Sequence, residues 1–167
     1  MRPKLVVVGL LAAIASAGTA QARVGGTVAA FNESMLVGKL GYKLAGTQNI
    51  IAGQYKGFTA HQYVSPDLRS FIDVVVSPRG AIVEQAMLLP ITPTALDAAR
   101  FVEFMREATN NSVDMNEIFK FIHDSVQVAK EYRKQFGGRF VTVYRYPPSL
   151  VVMDIKVTAA PAAKKAK

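Results

Sequence analysis

Two histidines, His61 and His123, are the only imidazoles in a chain of 167 residues that has no cysteine. Thiolate-held zinc or iron–sulfur centres are therefore excluded, and so is a disulfide framework. The two histidines stand far apart in sequence and form no His-x-x-x-His pair, which makes a poor metal site. The expectation is no metal, no cofactor and no catalytic residue. The familiar nucleophile signatures are missing too. No Gly-x-Ser-x-Gly elbow occurs. Val37 follows Ser34 by three residues and Val128 follows Ser125 by three, so neither serine begins a Ser-x-x-Lys motif. Gly25-Gly26 and Gly137-Gly138 are too short to cradle a phosphate, and the second pair ends a helical pattern where a phosphate loop would begin one.

One carboxylate pair merits a test. Asp73 and Glu84 lie on the two arms of a hairpin pattern, and a close pair would raise one pKa, as a general acid requires. Whether they share a face depends on a register that the sequence leaves open. The plainer reading is two solvent-face charges. A small enzyme would need His61, Asp73 or Glu84 and a tyrosine to converge from distant positions. Aromatics offer a binding surface instead. Tyr42, Tyr55, Tyr63, Tyr132, Tyr144 and Tyr146 stand beside Lys43, Lys56, Arg133 and Arg145. Basic residues interleaved with rings suit stacking on sugars or peptide side chains. Strands favour tyrosine on packing grounds alone. The first candidate surface is Tyr144, Arg145 and Tyr146.

The elements that must position these residues follow from periodicity. Val28 to Leu40 reads as a helix, with Phe31, Met35 and Leu36 at helical spacing. Asn49 to Gln54 and Phe58 to Val64 read as short strands about a Tyr55-Lys56-Gly57 turn. Ser70 to Val76 alternates cleanly, turns at Ser77-Pro78-Arg79-Gly80 and returns as Ala81 to Leu89. Thr94 with Asp97 has capping-box spacing before a helix over Ala95 to Asn110. Asp114 with Glu117 starts another, predicted to reach Gln135. Arg139 to Tyr146 and Leu150 to Val157 form a closing hairpin. Hairpins without strand–helix–strand crossovers give an α+β fold: an N-terminal helix, an antiparallel sheet of hairpins, two helices packed on one face and the closing hairpin. This element order is similar to that of the small secretion chaperones, a resemblance of topology alone.

The ends of the chain point to a compartment. Arg2 and Lys4 precede an uncharged apolar run from Leu5 to Ala17, and Ala20-Gln21-Ala22 supplies small residues where a signal peptidase reads. Residues 1–22 read as a signal peptide; the apolar run is shorter than the roughly 20 residues that span a bilayer. No later stretch looks like a transmembrane segment. Residues 23–157 read as one domain, and residues 158–167 as a disordered Ala/Lys/Pro tail with Lys164, Lys165 and Lys167. The formal net charge is +8, with 20 Lys and Arg against 12 Asp and Glu. The expected protein is periplasmic or secreted, not an enzyme, and binds a protein or peptide partner. A groove between the long helix and the sheet is the expected seat for an apolar segment. An anionic envelope surface touched by the lysine tail is the alternative partner. Export argues against nucleic acid.

Overall fold

The computed structural model describes residues 23–90, 93–111, 113–126, 131–136, 138–145 and 152–159. The proposed signal peptide, Tyr146 and residues 160–167 of the tail lie outside them. The chain begins with α1 (Val28–Asn32) and α2 (Met35–Gly38), two short helices where one was expected. The break falls at Ser34 because its Oγ accepts from Val37 N at 3.4 Å and so caps a new helix. The first α2 amides are satisfied from elsewhere: Met35 N and Leu36 N donate to Glu107 Oε1 at 2.7 and 3.3 Å.

Seven antiparallel strands follow: β1 (Lys43–Asn49), β2 (Thr59–Val64), β3 (Phe71–Val76), β4 (Ile82–Pro90), β5 (Tyr132–Phe136), β6 (Arg139–Arg145) and β7 (Val152–Ala159). Their order in the sheet is β1-β2-β3-β4-β7-β6-β5. Two meanders, one on each side, meet where β7 pairs with β4. α3 (Ala95–Thr109) and α4 (Met115–Val126) carry the chain between them. The fold is α+β with helices packed on the sheet, as the element order predicts. α3 opens with the expected Thr94–Asp97 capping box. β7 takes in Thr158 and Ala159, at the start of the segment read as tail.

Three boundaries differ, each for a physical reason. β1 has no β-branched run, and every one of its residues is exposed; its ladder to β2 makes it a strand. The expected strand over Asn49 to Gln54 is largely a wide loop, closed by Ile50 N to Phe58 O and Gly57 N to Ile50 O, both 2.8 Å. Gly57, closing the turn, has a positive φ of 84°. The helix predicted to reach Gln135 ends at Val126, and β5 follows. Tyr132 and Phe136 are four apart, a spacing that both a helix and a strand place on one face. Both rings pack on Phe121 of α4, at 5.1 Å stacked and 5.4 Å edge-on.

Phe101, Phe104, Met105, Ile118 and Phe121 of the helices bury against Tyr63, Ile72, Val74, Met87, Val143 and Val157 of the sheet. That core fills the interval where an apolar groove was expected. The β2–β3 turn is fastened to α3 by buried charge. Arg100, 3% exposed, donates to both Asp67 oxygens at 2.9 Å. Arg69 pairs with Asp97, fully buried, at 3.0 Å. Tyr42 and Ser70 hydrogen-bond through their hydroxyls beside this cluster.

Candidate functional site: the helix-free face of the sheet

Helices cover one face of the sheet. On the other, register alone decides which side chains meet. One crosswise row runs Gly46, Gln62, Asp73, Ala86, Lys156, Thr142, Arg133. The next runs Gln48, Ala60, Val75, Glu84, Thr158, Phe140, Gln135. These rows bound a concavity of about 530 Å³, whose floor includes Ala60, Val75, Ala86 and Leu88 and whose polar lining includes Gln62, Asp73, Glu84 and Lys156. A second, of about 340 Å³, adjoins it and shares Glu84 and Lys156. Tyr55, Glu131, Arg133 and Tyr144 line that one.

The hairpin register settles the carboxylate pair. Asp73 lies opposite Ala86, and Glu84 lies opposite Val75. Both therefore point to the helix-free face as diagonal neighbours, a relation that spaces them by about 7–8 Å. A shift between Val75 and Val76 skips Val83, so Ile82 enters the core while Glu84 faces the other way. Regular alternation would have put Ile82 and Glu84 on the same face.

The charged groups at the centre of the recess have identified contacts. Glu84, only 8% exposed, meets Lys156 Nζ at 3.7 Å through Oε1 and accepts from Tyr55 Oη at 3.0 Å through Oε2. Lys156 Nζ also lies over the Tyr144 ring, 5.2 Å from its centroid. Gln62 Nε2 donates to Asp73 Oδ1 at 3.1 Å. Burial raises the Asp73 carboxyl above its ordinary value, against the opposing pull of the Gln62 hydrogen bond and the Lys156 charge. Burial, with the Glu84 charge behind it, pushes the Tyr55 phenol up to about 12. Such a set suits a cation or an amide, held by hydrogen bonds over a small apolar floor.

Of the first candidate surface, Tyr144 belongs to this face, where Tyr55 and Arg133, also singled out in the sequence, line the same concavity. Arg145 closes β6, but its side chain is outside the described residues, as is the whole of Tyr146. His61 pairs with Val74 and shares the opposite face, so the sheet separates it from Asp73 and Glu84. Its Nδ1 lies 3.3 Å from Thr47 Oγ1. His123 is exposed on α4, next to Asp124. Among the described residues no group of three or more His, Asp or Glu is placed to hold a metal ion. Among them, no helix is long and apolar enough to cross a membrane. Sequence reasoning missed Gln62 and Lys156; the signal that finds them is the cross-strand register, which sets Gln62 beside Asp73 and Lys156 beside Ala86. Comparison with protein-family models, curated proteins and solved structures finds no match for this chain.

Proposed function

We propose that this chain is an exported, non-enzymatic domain that binds an extended segment of another polypeptide, across the helix-free face and along the edge that borders it. The observation that carries the reading is the recess itself: a curved sheet face with an apolar floor and polar walls, left uncovered by the helices. Its rim is β1, through Gly46, Thr47 and Gln48. Every β1 residue is exposed, and Lys43 is the strand's one charge. A free strand edge is a template for a further strand, whose backbone supplies affinity while its side chains reach neighbouring pockets. The opposite edge, β5, carries Arg133 and Lys134 and is anchored under α4 by Tyr132 and Phe136. Charges of that kind discourage pairing.

Photo-crosslinking tests this. A crosslinking residue at Gln48 or Gln62 is expected to capture a polypeptide from an envelope extract, whereas one at Phe119, exposed on α4, is not. Equal capture from both faces, or none from the recess, overturns the reading. So does a turnover activity that Glu84→Gln abolishes.

A further inference from the structure

The outer edge of β1 has a phase that β2 fixes. Gly57 and Phe58 together oppose Ile50: Gly57 N donates to Ile50 O and Ile50 N donates to Phe58 O, both at 2.8 Å. With Gly57 at φ 84°, this is a β-bulge that has glycine at its first position. It turns the Ile50 backbone toward β2. The backbones of Gln48 and Gly46, which pair with Ala60 and Gln62, turn the same way, because alternate residues of an antiparallel strand bond to the same neighbour. The N–H and C=O groups of Thr47 and Asn49 therefore face outward, and among the described residues no strand lies beyond them. A register shift between Leu44 and Gly46 interrupts β1 on its other side. An antiparallel strand added here would pair regularly over residues 46–50, hydrogen-bonded at Thr47 and Asn49.

Side chains opposite Gly46 and Gln48 on such a strand stand on the helix-free face, in the rows to which those two residues belong. Gly46 leaves a notch there. It has no left-handed φ to require glycine, and a Cβ on it would meet no atom within 4 Å. Glycine inside a strand weakens it, and it often marks a close approach by a ligand or another backbone. Behind the notch lie Gln62 and then Asp73. Gln62 gives its Nε2 to Asp73, which leaves its carbonyl oxygen to accept from a newcomer. Glu84 is matched by Lys156, whereas Asp73 has no ion pair within 4 Å among the described residues. The Cα of an added residue opposite Gly46 would stand about 10 Å from that of Gln62 and about 14 Å from that of Asp73 at standard strand spacings. An extended lysine or arginine covers roughly 6–7 Å of that at standard bond lengths. Its head then lies over Gln62, within the screening length of about 8 Å from Asp73.

We propose that β1 takes the partner segment as an added antiparallel strand, and that this segment passes a lysine or arginine side chain through the Gly46 notch, its cationic head over Gln62 and facing Asp73. This rests on the reading of the recess as a binding surface and names the chemistry of what it holds, an extended cationic polypeptide. The raised Asp73 carboxyl fits the same view, because an approaching cation offsets part of what burial costs it.

The probe is a short blocked peptide of alternating threonine and valine with one central arginine, beside versions carrying norleucine or glutamate in its place. Amide shifts of the full chain follow each titration. The arginine peptide is expected to shift Thr47, Asn49, Gln62 and Asp73 and to leave Phe101 and Phe104 of α3 unmoved. It should bind about threefold to fivefold more tightly than the norleucine peptide, the range of a partly exposed charge pair, and the glutamate peptide should bind most weakly. Gly46→Val fills the notch with a residue that suits a strand, so its unfolding midpoint should stay at or above the parent's while the arginine preference disappears. Asp73→Asn should abolish the same preference, and raising the ionic strength should shrink it. Equal binding of the arginine and norleucine peptides, a preference that survives Gly46→Val, or shifts centred on α4 overturns the proposal. If norleucine matches arginine while Gln62 still crosslinks a partner, the cationic proposal fails and the binding surface stands. If arginine is preferred through Gly46 while no partner is captured from an extract, the notch stands as a cation seat and the partner reading fails. No shift at β1 with any of the peptides overturns both.

Discussion

β3 carries two different surfaces in six residues. Ile72, Val74 and Val76 point under the helices and are at most 7% exposed. Phe71, Asp73 and Val75 point to the uncovered face, where Asp73 meets Gln62. The same division runs across the sheet: Met87, Val143 and Val157 belong to the core, Glu84, Thr142 and Lys156 to the recess. A strand places alternate side chains on opposite faces, so one segment can serve stability and recognition independently. The difference between the faces should therefore appear as a difference in what each tolerates.

The largest expected contrast is between the faces themselves. Phe104 is fully buried at the helix–sheet contact. Phe104→Ala should cost roughly 3–5 kcal/mol of unfolding free energy, the transfer and cavity terms of a large aromatic together. Gln62→Ala, in the recess, should stay within about 1 kcal/mol. Urea unfolding of both variants checks this, and similar losses would break the comparison.

Next comes the charge cluster that ties the β2–β3 turn to α3. Arg100→Leu leaves Asp97, fully buried, without its neighbour at 3.6 Å and leaves Asp67 without its bidentate partner. Removing one member of a buried ionic group costs roughly 3 kcal/mol. The same cluster sets an acid limit. The Arg100 hydrogen bonds hold the Asp67 carboxyl down to about 2. Burial alone would raise Asp97, but hydrogen bonds from the Thr94 backbone and from Arg69 outweigh it and leave its carboxyl below the ordinary value. A depressed carboxyl contributes stability that is present above its unfolded pKa of about 4 and is lost as pH falls through the folded value. Unfolding midpoints should therefore drop steeply between about pH 4 and pH 2. Arg100→Leu should flatten that drop.

A smaller effect belongs to the rim. Tyr55→Phe removes a phenol that donates to Glu84 Oε2. A hydrogen bond to a charged group in a partly exposed loop contributes about 1 kcal/mol. Thermal unfolding should register that loss. Amide shifts should confine it to the Ile50–Phe58 loop and β4; shifts reaching the Phe104 region would show that the two faces are coupled.

How much of this was legible beforehand depends on which physical signal each part carries. The central hairpin was readable because β3 alternates and a Pro–Gly turn follows it. α3 was readable because Thr94 and Asp97 have capping-box spacing. β1 was not, since Lys43 to Asn49 holds no apolar alternation and becomes a strand only through β2. β5 reads as helix because no break residue falls between Asp114 and Gly137-Gly138, and Tyr132 and Phe136, four apart, fit either period. The recess was the least legible feature. Asp73 and Glu84 stand out in the sequence, but their common face depends on the register shift that skips Val83. Lys156, from the last strand, joins them only because β7 inserts beside β4.

Asp73→Asn is the smallest change and gives the comparison its sharpest sign. Burial raises this carboxyl, so the folded chain takes up a proton more readily than the unfolded chain does. Between the ordinary carboxylate value and the raised one, stability therefore increases as pH falls, opposite to the Asp67 and Asp97 trend. An asparagine keeps the size and can still meet Gln62, but carries no charge to desolvate. At pH 7 the variant should be equal to or up to about 0.5 kcal/mol more stable than the parent, within the usual range for a site away from the core. The difference should shrink as pH falls through the raised value and close at the ordinary carboxylate value. Chemical unfolding of both chains at pH 7 and in steps down to the ordinary carboxylate value of about 4 measures it. A destabilisation at pH 7 would mean that the ionised carboxylate holds the recess together, and the face assigned to binding would then be one the fold itself requires.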